Sequence, residues 1–146
     1  MSKVSIIIPA RNEQYLQSTI SDLLSKGGNV EVIAVLDGYW PNPPLKESNR
    51  LIILHRGKSM GMRTAINSAA DIASGEWLMK CDAHCMFAGN YDIDLQLDCD
   101  HDWIAVPRRY SLDAENWKQK EKSPVDYHFL SCPWTNPDGW SMLRVS

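Results

Sequence analysis

No apolar run in this 146-residue chain approaches the roughly 20 residues that a membrane-spanning helix needs. One-sided charge is also missing: 15 Lys and Arg against 18 Asp and Glu leave a formal net charge of −3. That balance excludes a general electrostatic affinity for nucleic acid or for an anionic membrane. Cysteine is sparse, with Cys81, Cys85, Cys99 and Cys132. Cys81 and Cys85 flank His84, yet Cys99 and Cys132 make no second tight pair, which argues against a structural zinc site. Gly57-Lys58-Ser59 lacks the earlier glycine that an NTPase phosphate loop requires. Met1-Ser2-Lys3 runs directly into an apolar stretch and leaves no room for a signal peptide. The expectation is therefore a cytoplasmic protein whose thiols stay reduced and act as small buried hydrophobes. Internal repeats and low-complexity segments are absent as well.

What is present is an ordinary globular balance, 44% hydrophobic and 23% charged, in a length that suits one domain, 1–146. Val4-Ser5-Ile6-Ile7-Ile8-Pro9 is a nearly continuous β-branched run and predicts a strand buried on both faces, as in a parallel sheet. After the polar loop Ala10-Arg11-Asn12-Glu13, apolar residues at 16, 20, 23 and 24 predict a helix. Asn12 is its expected N-cap and Gly27-Gly28 its stop. Val30 to Leu36 predicts a second strand, ending at Asp37-Gly38, and the proline-rich loop 39–44 follows. Leu51 to Leu54 predicts a third strand, and Arg56-Gly57-Lys58-Ser59-Met60-Gly61 a basic loop. Met62, Ala65, Ile66, Ala69, Ala70 and Ala73 mark one face of a second helix, stopped by Gly75. Alternating strands and helices argue for a mostly parallel α/β sheet flanked by helices.

The fourth strand, Glu76 to Lys80, runs into a polar knot at Asp82 and His84. Two residues apart in extended backbone, these side chains point the same way. Strand ends at Pro9-Ala10-Arg11, Asp37-Gly38 and Asp82-Ala83-His84 then gather at one carboxyl edge, where open α/β sheets bind ligands. A carboxylate and an imidazole there can hold a divalent metal and leave positions open, so the knot reads as a metal–diphosphate site. The plainer alternative makes Asp82 a turn former and His84 a satisfied partner.

Beyond residue 87 the pattern is weaker. Tyr91, Ile93, Leu95, Leu97 and Cys99 alternate with Asp92, Asp94, Gln96, Asp98 and Asp100; by period this is a half-exposed strand with a wet acidic face, and a helix stays open beside it. Trp103 to Pro107 predicts a strand, residues 111–126 a solvated loop or helix, Tyr127 to Trp134 a strand broken at Pro133, and Asn136 to Gly139 a turn. Four of the six tryptophans, Trp103, Trp117, Trp134 and Trp140, lie past residue 100 and are expected in a core.

The order of these residues resembles the family 2 glycosyltransferases, whose catalytic domain has the Rossmann-like GT-A fold. The resemblance rests on Val4 to Glu13, on Asp37-Gly38, on Gly61, Arg63, Ala65 and Asn67 with Ala73-Ser74-Gly75-Glu76, and on Asp82-Ala83-His84 at the family's Asp-x-Asp position. Asp82-Ala83-His84-Cys85 is more similar still to the polypeptide N-acetylgalactosaminyltransferases, which use Asp-x-His with manganese and a UDP-sugar. The likeness covers residues 3–87, a nucleotide-sugar-binding half, and leaves 88–146 as a partial acceptor half of a truncated GT-A fold. It implies a metal-dependent transferase moving sugar from a UDP-sugar to an unknown acceptor. Donor-binding residues would be Pro9, Arg11, Glu13, Asp37, Gly61, Arg63 and Asp82, with Asp82 and His84 holding Mn2+ or Mg2+. The catalytic base is unassigned, because the Glu-Asp pair of inverting members is missing; Asp113, Asp126 and Asp138 are the available acids and His128 the available third ligand. Two rival readings are a nucleotide-sugar-binding module without transfer and a nucleotidyltransferase. The latter would carry a glycine-rich basic loop after the first strand, where Ala10 to Glu13 has no glycine. A truncated sheet would also suit a homo-oligomer.

Overall fold

The computed structural model describes residues 1–100, 102–121, 125–130 and 140–145, the last two ranges by backbone alone. The chain forms two compact units, 1–101 and 102–146.

In the first unit, β1 (Val4–Ala10), α1 (Leu16–Lys26), β2 (Val30–Asp37), β3 (Leu51–Arg56), α2 (Met62–Ala70), β4 (Trp77–Lys80) and α3 (Tyr91–Leu97) follow in order. The four strands make one parallel sheet of order β3-β2-β1-β4. β1 and β2 sit at its centre, and their continuous apolar runs are buried on both faces, as a strand covered by helices on each side must be. On one face Ile6, Ile8, Val32 and Leu36 pack with Leu16, Ile20 and Leu23 of α1. On the other, Ile7, Ile33 and Val35 pack with Ala65 and Ala69 of α2, whose small side chains let the helix lie close to the sheet. Met62, expected on that inner face, is exposed instead.

Two expected helix ends have different physical causes. Asn12 is not the N-cap; it sits at φ 53°, a left-handed turn that asparagine tolerates, and α1 begins after Tyr15. Gly27 ends α1 in extended backbone (φ −92°, ψ 142°) rather than in the left-handed form. Glycine is required there by packing, since a Cβ would stand 2.5 Å from the Tyr91 hydroxyl.

Residues 91–97 form the helix alternative, not the strand. Tyr91 is buried and its hydroxyl donates to the Leu23 carbonyl at 3.1 Å. Asp92 is buried too, accepting from the Gly28 amide at 3.1 Å, so the acidic alternation is no simple wet face.

The second unit contains an antiparallel pair, β5 (Leu112–Asp113) with β6 (Lys118–Gln119), and a longer pair, β7 (Val125–Leu130) with β8 (Trp140–Val145). A hairpin thus replaces the loop or helix expected over the first part of 111–126. The strand expected at Trp103 to Pro107 does not form; Trp103, Ile104 and Val106 are exposed, which also takes Trp103 out of the expected core. Trp134, Pro133 and the turn at 136–139 lie outside the described residues. Among the described residues no helix is long and apolar enough to cross a membrane.

Candidate functional site

All four strands point their carboxyl ends to one edge, so residues following Ala10, Asp37, Arg56 and Lys80 share it. From β1 the chain crosses through α1 to β2 on one side, while α2 leads to β4 on the other. The β1–β4 border is therefore the topological switch point, the place on an open α/β sheet where ligands bind.

Two loops flank that border. After β4, Cys81 and Ala83 turn into the core while Asp82 and His84 stay outside, so a two-residue alternation sends both candidate ligands to the solvent side. Asp82 Oδ1 pairs with Lys80 Nζ, and its side chain is 53% exposed. From the β1–α1 loop Glu13 reaches across, its Oε2 lying 3.7 Å from His84 Nδ1. Arg11 is exposed in the same loop, and Pro9 is half-buried in β1 opposite Val35.

The post-β4 loop is held by one polar line on α1. Thr19 Oγ1 accepts from the Cys85 amide at 3.1 Å, and Asp22 Oδ2 accepts from the Phe87 amide at 2.7 Å. Lys26 Nζ donates to the Phe87 carbonyl at 2.6 Å and pairs with Asp22 at 2.7 Å. These three residues were missed by pattern reading. Their spacing interrupts the apolar face of α1 on its inner side, and that interruption was the available signal.

A second cluster forms at the ends of β2 and β3. Asp37 is 4% exposed and accepts from the Ser59 hydroxyl at 2.7 Å, the Met60 and Gly61 amides at 3.0 Å each, and Arg56 Nη1 at 3.4 Å. The Met60 amide does most to hold its carboxyl down; with Ser59, Gly61 and Arg56 it outweighs burial and brings the pKa to about 2. Arg56 is largely buried and also donates from Nη2 to the Thr64 carbonyl and the Ser68 hydroxyl, both at 2.6 Å. Of the basic residues 56, 58 and 63, only Lys58 and Arg63 are thus exposed to a ligand. Gly61 stands at φ 89° before α2. Nearby in sequence, Trp40 stacks on His55 with ring centroids 3.8 Å apart and planes 9° apart.

The candidates therefore fall into two groups on one edge: Glu13, Asp82 and His84 at the β1–β4 border with Arg11 and Pro9, and Asp37, Gly61 and Arg63 at the β2–β3 end. Asp82 and His84 offer an oxygen and a nitrogen donor, exposed and close in sequence, and that donor chemistry fits manganese. Among the described residues no third His, Cys, Asp or Glu completes a ligand cluster with them. The side chains of His128 and Asp126, and the whole of Asp138, lie outside the described residues. Asp113 accepts from the Asn116 backbone amide at 3.2 Å and from its side-chain amide at 2.8 Å, which lowers its pKa. Cys81 and Cys85 belong to the core wall of the site, and burial pushes both thiols up, as expected of buried hydrophobes.

The mostly parallel four-stranded sheet flanked by helices is consistent with a truncated GT-A fold. The model of the family Glycosyl transferase family 2 matches residues 5–141, and the chain belongs to that family. Membership makes it a glycosyltransferase in general terms and implies a nucleotide-sugar donor and an acceptor. Comparison with curated proteins returns no match.

Proposed function

We propose that this chain is a metal-assisted glycosyltransferase that takes its sugar from a UDP-sugar. The observation that carries the reading is the pair Asp82 and His84, both exposed at the carboxyl end of β4 while the neighbouring Cys81 and Ala83 are buried. Asp82 and His84 would hold Mn2+, or Mg2+ less readily, because a mixed oxygen–nitrogen set suits manganese. When bound, the metal supplies Lewis-acid stabilisation of the departing diphosphate. Glu13 brings a carboxylate to within 3.7 Å of His84 Nδ1, near enough to attract the imidazole without a direct hydrogen bond. Arg11, Lys58 and Arg63, all exposed on the same edge, bring positive charge to the phosphates.

Calorimetric titration of UDP tests this, with manganese, after chelation, and on Asp82→Ala. Manganese-dependent binding that the substitution abolishes supports the site. Binding indifferent to metal keeps a nucleotide pocket and removes the role given to Asp82 and His84. Release of free sugar from a bound UDP-sugar separates a transferase from a module that only binds.

A further inference from the structure

We propose that β3 is a self-pairing edge, through which two copies of this chain join as an antiparallel, two-fold dimer centred on Ile53. Among the described residues β3 pairs with β2 alone, so its other side is an edge of the sheet. Edge strands that stay single are short, charged, bulged or broken by proline. β4, at the opposite edge, has four residues and ends on Lys80. β3 has six, and its run Leu51-Ile52-Ile53-Leu54 carries neither charge nor proline. Ile52 is 38% exposed and Ile53 40%. Leu51 packs with the core under α1 and Leu54 with the core under α2, so by alternation Ile53 and Ile52 lie on opposite faces. Apolar surface is open on both faces of one edge, and a strand laid alongside covers both at once.

The backbone selects the partner. The Arg50 carbonyl accepts from the Val32 amide at 2.8 Å and the Arg56 carbonyl from the Gly38 amide at 3.1 Å, so even-numbered residues of β3 turn toward β2. Leu51, Ile53 and His55 then turn their N–H and C=O groups outward. The Leu51 amide already donates to the Ser48 carbonyl at 3.1 Å. What stays open is the Leu51 carbonyl and both groups of Ile53 and His55. A second β3, antiparallel about an axis at Ile53, matches that set: the two Ile53 residues exchange a pair of hydrogen bonds, and each His55 amide meets a Leu51 carbonyl. An axis at Ile52 would oppose Leu51 to Ile53 and spend half of each pair on the occupied Leu51 amide.

The side chains suit the same axis. Ile53 faces its own copy on one side of the joined sheet, and Ile52 faces Leu54 on the other. On the Ile53 side an open groove of about 570 Å³, lined by Glu47, Ser48, Asn49, Leu51 and Ile53, has room for the partner's chain. Antiparallel pairing also sets the exposed Lys58 after one β3 beside the exposed Glu47 before the other. By symmetry this opposite-charge match occurs twice, as an isologous contact requires.

Sedimentation velocity tests this on the full chain under a thiol reductant, from about 1 to 200 μM. Expected for the wild type is a shift with concentration from monomer to dimer and no further, because a two-fold contact closes. Ile53→Lys sets two like charges on the axis and should weaken dimerisation at least about a hundredfold. Ile53→Thr, which keeps a β-branched side chain for the strand, should weaken it at least about fivefold. Ile72→Lys, at an exposed isoleucine outside β3, should leave it within about twofold. Amide hydrogen exchange locates the contact: the Ile53 and His55 amides should slow at least about tenfold from dilute to concentrated wild type. In Ile53→Lys they should not change with concentration, while Val32 to Val35 stay protected and report an intact sheet. A wild type that stays monomeric throughout overturns the proposal. So does a dimer that survives Ile53→Lys, association that Ile72→Lys abolishes equally, growth beyond a dimer, or Ile53 and His55 exchange that ignores concentration.

Discussion

Glu31 lies at the amino edge of the sheet, opposite the candidate site, and its charge is expected to carry a measurable part of the first unit's stability. It is buried at the start of β2 and receives Lys3 Nζ and the Ser5 hydroxyl at 2.5 Å each, and the Ser74 amide and hydroxyl at 2.8 Å each. One carboxylate thereby joins β1, β2 and the turn that leads into β4. Burial opposes its ionisation, but the bonds from Lys3, Ser5 and Ser74 outweigh that cost and bring its pKa from 4.5 to about 2. A folded-state pKa below the unfolded one means stability that is complete above about pH 4.5 and is lost as pH falls toward about 2. The full shift corresponds to about 3 kcal/mol, and screening at the half-exposed Lys3 reduces the expected value to about 2 kcal/mol.

Asp37 titrates over the same range, so the acid slope of the wild type contains both carboxylates. Glu31→Gln isolates one of them. A carboxamide keeps the shape and turns an N–H toward Lys3 and Ser74, much as a protonated carboxyl turns its O–H. Urea unfolding followed by far-UV circular dichroism at pH 7 and pH 3 is the assay. At pH 7 the variant is expected to be about 2 kcal/mol less stable than the wild type, and at pH 3 the gap should fall below half of that. A gap of equal size at both pH values would refute the reasoning, because it would show that the shape of Glu31 matters and its charge does not.

Two further outcomes follow from the packing. Gly27→Ala puts a methyl 2.5 Å from the Tyr91 hydroxyl and 2.9 Å from Val30 Cγ1. It should cost about 1–3 kcal/mol in thermal unfolding, and adding Tyr91→Phe should recover part of it; no loss would mean that α3 is not docked on α1 as described. Thr19→Val removes the acceptor for the Cys85 amide and should speed exchange of that amide by about tenfold or more while Ile6 and Ile8 stay protected. Unaltered exchange at Cys85 would take α1 out of the support of the Asp82–His84 loop.

The parts of the fold that were legible are those where one local pattern has one outcome. A run such as Val4 to Ile8, too apolar for a sheet face open to water, needs cover on both sides, and the order of strands and helices then leads to a parallel sheet. Asp82 and His84 were legible because the intervening Ala83 and preceding Cys81 set the alternation that turns them outward. Residues 91–97 carry a strand's period, and the helix is favoured by partners far away in sequence, the Leu23 carbonyl and the Gly28 amide. Asp37 was visible as a candidate, but its partners were not. Ser59, Met60 and Gly61 arrive 22, 23 and 24 residues later, and two of them contribute only backbone amides, which any residue could supply. Trp103 to Val106 reads as a strand by composition, yet its apolar side chains stand exposed without a ladder.

Burial divides the acids of the carboxyl edge into two kinds of work. Asp82 is 53% exposed and its ion-pair partner, Lys80, is 38% exposed. An exposed pair of that kind contributes about 0–1 kcal/mol, so a divalent cation can take the carboxylate from Lys80 at little cost. Asp37 differs in every respect that matters: it is buried, it fills its acceptor positions from its own chain, and freeing it would strand two backbone amides and a guanidinium. Removing the partner of a buried charge costs several kcal/mol. The edge therefore carries one carboxylate that exchanges partners readily and one that holds the loop from Ser59 to Gly61 in place.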